Sequence, residues 1–210
     1  VKRLHQGSLH FTRFFESWAP TTGGNNFFPV NSPMDNGASL SQNLTGNYIY
    51  ASPFWLPRDF LLKEFGVLVN TVTTANTDIS WGIYCNNFLT LSYGQRYPGN
   101  LIVEAYYNNI PSANFYSSSL SPPILLKGQR LYWAALSLNT DGVQTFRCGG
   151  TALNLLGWQS GDTTYPLVSK RAMSLSRTHT QALPNPFPSG AQDYRFAPTM
   201  FIRELNQSGS

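Results

Sequence analysis

Ile79-Ser80-Trp81-Gly82-Ile83-Tyr84-Cys85 sets Ile79, Trp81, Ile83 and Cys85 in alternation with Ser80, Gly82 and Tyr84. A period of two puts each set on its own face of a strand, whereas a helix would scatter both around its axis. The same pattern recurs on either side. Upstream, residues 48–55 are rich in β formers and stop at Pro57, and Phe65, Val67 and Val69 alternate with Glu64, Gly66, Leu68 and Asn70. Downstream, Leu101, Val103 and Ala105 alternate with Ile102, Glu104 and Tyr106. Tyr132, Ala134, Leu136 and Leu138 alternate with Leu131, Trp133 and Ala135, and residues 200–205 read as a closing strand.

Turn signals separate these runs: residues 74–78, Tyr97-Pro98-Gly99-Asn100, Ser121-Pro122-Pro123, Lys127-Gly128 and Asn139-Thr140-Asp141-Gly142. Asp141-Gly142 is a good hairpin dipeptide, since both positions tolerate positive φ. No helical pattern of convincing length follows residue 46, and no internal repeat is present. Many short strands with turn signals between them predict an all-β antiparallel sandwich or barrel.

Composition agrees. In 210 residues, charged side chains make up 11%, against about 25% in ordinary globular proteins, while aromatics reach 14% and Gly (17) and Pro (14) are frequent. Disorder needs the opposite balance. The length predicts one domain carrying an arm. The net charge is +4, but the basic residues are scattered, with adjacent pairs only at Lys2-Arg3 and Lys170-Arg171. A nucleic-acid binder concentrates its charge on one face, so nucleic acid is not an expected partner. The first residues lack an apolar signal core and no run of 18 apolar residues occurs, so neither a secretory leader nor membrane insertion is expected. Asn43-Leu44-Thr45 and Asn206-Gln207-Ser208 then match the glycosylation pattern by chance.

Residues 1–46 differ from the rest and are expected to form the arm, with residues 47–210 forming the sandwich domain. Phe11, Phe14, Phe15 and Trp18 fall at helical spacing. They fit a short amphipathic helix or an extended arm whose rings pack on a neighbour. Either way they are the expected docking residues. Residues 19–46 are dominated by Pro, Gly, Asn and Ser and read as loop with one short strand.

The residues that carry chemistry do not cluster. Cys85 and Cys148 fit no zinc spacing and are too few for a disulfide scaffold, which leaves two free thiols or one bridge between neighbouring strands. His5, His10 and His179 form no paired metal motif. No nucleophile elbow or phosphate loop occurs. No metal, cofactor or catalytic residue is therefore expected. The ten carboxylates are Glu16, Asp35, Asp59, Glu64, Asp78, Glu104, Asp141, Asp162, Asp193 and Glu204. Most sit in turns or on polar strand faces and read as solvated. Among the aromatics, Trp81, Trp133 and Trp55 read as core. Trp158, in Leu156-Gly157-Trp158-Gln159-Ser160-Gly161-Asp162, and Tyr93, Tyr97 and Tyr165 lie in or near turns. Exposed rings beside amides stack on sugars or anchor protein partners, so these four are the candidate ligand or receptor contacts.

Three segments, in order, carry a family resemblance. Tyr48-Ile49-Tyr50-Ala51-Ser52-Pro53-Phe54-Trp55-Leu56-Pro57-Arg58 precedes Phe65-Gly66-Val67-Leu68-Val69-Asn70-Thr71. Trp81-Gly82-Ile83-Tyr84 is continued by Tyr97-Pro98-Gly99-Asn100-Leu101-Ile102, and Gly128-Gln129-Arg130-Leu131-Tyr132-Trp133-Ala134-Ala135 follows. Together with residues 183–188 and 197–203, they resemble a β-sandwich domain of bacteriophage tail fibres and related virion proteins, over roughly residues 47–205. The resemblance implies a jelly-roll-like sandwich, a place in the virion and a homotrimer. It departs from the family at residues 86–96 and 108–120, where loops lengthen and a partner-specific surface is expected. The function expected is that of a tail-associated structural protein, a fibre or a receptor-binding adaptor. Its partners would be other virion proteins, reached through the arm, and host surface glycan. A capsid cement or decoration protein is the alternative. An enzyme acting on polysaccharide, with Asp162 and Glu104 as its first candidate carboxylates, is the third reading.

Overall fold

The computed structural model describes residues 28–29, 41–74, 76–87, 97–148, 172–194 and 197–205. Among them the chain forms strands and no helix: β1 (Phe28–Pro29), β2 (Ser41–Leu44), β3 (Tyr48–Leu56), β4 (Phe60–Val72), β5 (Ile79–Asn87), β6 (Tyr97–Tyr107), β7 (Asn114–Leu126), β8 (Arg130–Leu138), β9 (Val143–Cys148), β10 (Ala172–Ser176), β11 (Gln192–Tyr194), β12 (Ala197–Pro198) and β13 (Met200–Glu204). Two antiparallel sheets pack as a sandwich. One runs β11-β10-β3-β8-β5-β6; the other runs β1-β13-β4-β9-β12, with β7 pairing β4 and β2 pairing β9. Leu44 belongs to the core and β2 pairs β9 from Ser41 to Leu44, so the sandwich takes in residues 41–44.

The alternation sorts side chains as the period of two requires. Tyr50, Phe54 and Leu56 of β3, Trp81 and Ile83 of β5, and Tyr132, Leu136 and Leu138 of β8 meet Phe65, Val67 and Val69 of β4 and Met200 and Ile202 of β13 between the sheets. The opposite faces of β3, β5 and β8 are buried as well. Ile49, Ala51, Tyr84, Leu131, Trp133 and Ala135 form a second cluster with Met173, Leu183 and Phe187. Trp81 and Trp133 are thus both core, on opposite faces of one sheet. A sheet covered on both sides reads as nearly continuous apolar sequence, and β8 is buried at every position after Arg130.

The outer cover is the segment of residues 177–191, which crosses the sheet without regular structure. Side chains and backbone of the sheet satisfy it. Asn47 binds it twice, accepting from Arg177 N at 2.8 Å through its carbonyl and from His179 N at 3.0 Å through Oδ1. Ser80 Oγ donates to the Gln181 carbonyl at 2.8 Å, and Tyr84 OH to that of Pro184 at 2.8 Å. Burial first, then the Glu104 carboxylate, pushes the Tyr84 phenol above its ordinary range and keeps it a neutral donor. Leu183 packs so close to β5 that a Cβ at Gly82 would lie 2.7 Å from Leu183 Cδ1 and 2.7 Å from the Val103 carbonyl oxygen. Phe187 stands edge-on to Tyr84 and Tyr97, with ring centroids at 5.3 and 5.9 Å.

Four sequence expectations need correction. Asp141-Gly142 does not close a hairpin, because β8 and β9 lie in different sheets. Gly142, at φ 97°, turns the chain from one sheet to the other beside Thr73 and Thr74. Ser121-Pro122-Pro123 is not a turn but part of β7, where an edge position tolerates the missing N–H groups. Tyr97-Pro98-Gly99-Asn100 lies inside β6, next to the register shifts at Tyr84 and Asn86 that accommodate it. Of the loop expected over residues 108–120, residues 114–120 are strand, because β4 offers an edge and the core accepts Tyr116. Cys85 is a free thiol.

Removing the Phe187 ring leaves a cavity over the second cluster. Phe187→Ala is expected to cost about 3–5 kcal/mol, read as a lowered urea midpoint with unchanged slope. His179 supplies a pH test. Its Nδ1 lies 3.2 Å from Ser137 Oγ, and Nε2 is buried without a partner among the described residues. Burial lowers its pKa, Arg177 adds to this, and Asp78 opposes it. A lowered folded pKa means that the unfolded chain takes up the proton first. The stability is therefore complete above about pH 6.5 and is lost as pH falls below it. Thermal midpoints are expected to drop between pH 7.5 and 5.5, and to drop less in His179→Gln.

Candidate interaction surface

Among the described residues, β6 and β7 are edge strands of the two sheets, and the contact of Tyr107 with Tyr116 puts them on the same side of the sandwich. Their registers decide which residues face the core. Ala105 and Val103 stand opposite Trp81 and Ile83 and point inward; Tyr106 and Glu104 stand opposite Ser80 and Gly82 and point outward. On β7, Tyr116, Ser118 and Ile124 stand opposite Val67, Phe65 and Leu62 on the core face, while Phe115, Ser117 and Leu125 take the other. The two edges touch where the Tyr107 and Tyr116 rings meet, centroids 5.0 Å apart. The loop between them is pinned. Tyr116 OH donates to the Ser112 carbonyl at 2.7 Å, Asn109 N to Asp78 Oδ1 at 2.9 Å, and Ile110 N to the Thr77 carbonyl at 2.8 Å.

Along this side the core reaches solvent. Ile102, Val103, Ala105, Leu120 and Ile124 pack on it yet remain partly exposed. Tyr106 (54%), Leu125 (49%) and Tyr107 (46%) are the most exposed large apolar residues described. Over their eleven and thirteen residues, β6 and β7 carry one charged side chain, Glu104. Exposed rings and aliphatic side chains beside so little charge make this side a candidate interaction surface.

The carboxylates are engaged elsewhere. Glu104 Oε2 accepts from Leu183 N at 2.6 Å, and Asp141 Oδ1 from Gly46 N at 2.6 Å. Glu204 holds Arg58 through two hydrogen bonds of 2.6 and 2.7 Å. Glu64 pairs with Arg203 and accepts from Ser117. Asp59 binds Gly128 N at 2.7 Å and Lys127 Nζ at 3.1 Å; the Gly128 hydrogen bond first, then Lys127, holds its carboxyl below the usual range. Among the described residues, no three His, Cys, Asp or Glu side chains gather as a metal site.

Tyr97 is half-buried at the far end of β6. Its hydroxyl donates to the Pro188 carbonyl at 2.6 Å and accepts from Ala191 N at 3.1 Å, which ties it to the outer cover. Trp158, Tyr93 and Tyr165 lie outside the described residues, as do Phe11, Phe14, Phe15 and Trp18 and the third reading's Asp162. Sequence reasoning missed Tyr106 and Tyr107. Their signal is two adjacent rings at the end of an alternating strand, where one of the pair must leave the core face. The chain matches no protein-family model, and no curated protein matches its sequence.

Tyr106 contributes surface rather than support. Tyr106→Ser is expected to change stability by less than about 0.5 kcal/mol. Tyr116→Phe, which frees the Ser112 carbonyl, should cost about 1 kcal/mol. Denaturant titration of both variants checks the contrast.

Proposed function

We propose that this chain is a structural protein of a bacteriophage particle, tail-associated, that works by assembly and surface binding. The observation that carries the assembly reading is the open side of the sandwich: two long, nearly uncharged edge strands with Tyr106 and Tyr107 exposed where the core reaches solvent. The phage setting rests on the sequence resemblance alone. Every described carboxylate side chain accepts a structural hydrogen bond, and this arrangement favours a binding role over acid–base chemistry. In this reading the aromatic residues near the N-terminus hold the chain to its particle. The β6–β7 side then meets a neighbouring protein. Tyr is well suited to such a role, since it offers a large contact area at little conformational cost.

Gold-labelled antibody against the chain, applied to intact particles from its source lysate, tests the setting. Label on the tail is expected. Label over the head would replace the tail position with the cement role, and label on no particle would overturn the reading. Tyr106→Ser combined with Tyr107→Ser should leave the fold intact and lower incorporation into particles at least tenfold.

A further inference from the structure

The outer cover has two unlike halves. Residues 183–187 are anchored by apolar burial, since Leu183 and Phe187 are buried and pack into the second cluster. None of residues 177–182 is fully buried, and polar contacts hold that half. Arg177 N and His179 N donate to the carbonyl and to Oδ1 of Asn47, and Ser80 Oγ donates to the carbonyls of Gln181 and Thr180. The sheet beneath is polar as well. Ser80 and Ser137 stand opposite each other in β5 and β8, and both are buried. Water replaces the protein partners of such groups at small net cost. This half can therefore open while the apolar half stays seated.

His179 touches the sheet at the centre of the polar half. Its Nδ1 lies 3.2 Å from Ser137 Oγ, and its Nε2 is buried without a partner among the described residues. A neutral imidazole fits this place, because one of its nitrogens carries no proton. The imidazolium carries a proton on both, so its Nε2–H would be a buried, charged donor with no acceptor. Two charged groups act on the ring. Asp78, just before β5, favours the cation, and Arg177, on the cover itself, opposes it.

We propose that His179 makes residues 177–182 an acid-opened flap: when the imidazole takes up a proton, this half lifts from Asn47, Ser80 and Ser137 while Leu183 and Phe187 remain packed. The flap does not depend on the assembly reading. Burial outweighs Asp78 and lowers the pKa of the closed state. Closure is thus at full strength above about pH 6.5 and weakens as pH falls below it.

Amide exchange followed by NMR, corrected for its intrinsic pH dependence, reads the opening residue by residue. Between pH 7.5 and 5.0, protection at Arg177 N and His179 N should fall about threefold or more. Phe187 N, which donates to the Gly99 carbonyl at 2.9 Å, should keep its protection. His179→Gln should remove the pH dependence. Asp78→Asn takes away the group that favours the closed cation and should enlarge the fall. Protection at Arg177 and His179 that is unchanged with pH, that falls together with Phe187, that falls alike in His179→Gln, or that falls less in Asp78→Asn would overturn the flap.

Discussion

Burial of the β3–β8–β5 block on both faces is the constraint on which the rest of the molecule depends. Trp81 fills the space between the sheets, and Trp133 fills the space beneath residues 177–191. Each indole also needs a polar partner inside the protein. Trp133 Nε1 finds Asn86 Oδ1 at 2.9 Å, and Trp81 Nε1 approaches the Phe65 carbonyl at 3.4 Å. A segment without regular structure can cover a sheet only if the sheet answers its backbone groups. Here Asn47, Ser80, Tyr84, Tyr97 and Glu104 do so. Gly82 belongs to the same arrangement, since only a residue without Cβ lets Leu183 come so near.

Among the described residues, this arrangement covers the outer face of one sheet and exposes apolar rings at its β6 edge. The outer face of the first sheet is occupied by the chain's own cover, and the far end of β6 is bonded to it. Among the described residues, the stretch of β6 near Tyr106 and Tyr107 stays exposed beside it. Low charge there has a consequence of its own. Two surfaces without opposed charges approach at little desolvation cost, so burial of aromatic and aliphatic area can drive association.

Much of the sandwich was legible in the sequence, because apolar residues at every second position mark β4, β5, β6 and β8, and runs of β formers mark β3 and β13. β7 was not, since Asn114 to Ser121 is rich in Ser and runs into two prolines. Its strand character comes from pairing with β4, not from its own composition. Nor did the sequence reveal that β3, β5 and β8 are covered on both faces. Pro184, Pro186 and Pro188 look like loop, and only the contacts of Leu183 and Phe187 make that loop a second layer. The candidate interaction surface was hidden for a related reason. Alternation places Tyr106 on a face, but it does not tell which strand is an edge. Asp141-Gly142 misled because a positive-φ turn serves a passage between sheets as well as a hairpin.

On the proposed reading, the molecule meets its neighbour along the β6–β7 side. Amide hydrogen exchange, compared between the isolated chain and the particle fraction that carries it, tests this most directly. Added protection confined to residues 102–107 and 114–121 is expected. Unchanged exchange in both stretches, with protection gained over residues 177–191 instead, would contradict it and place the interface on the outer cover.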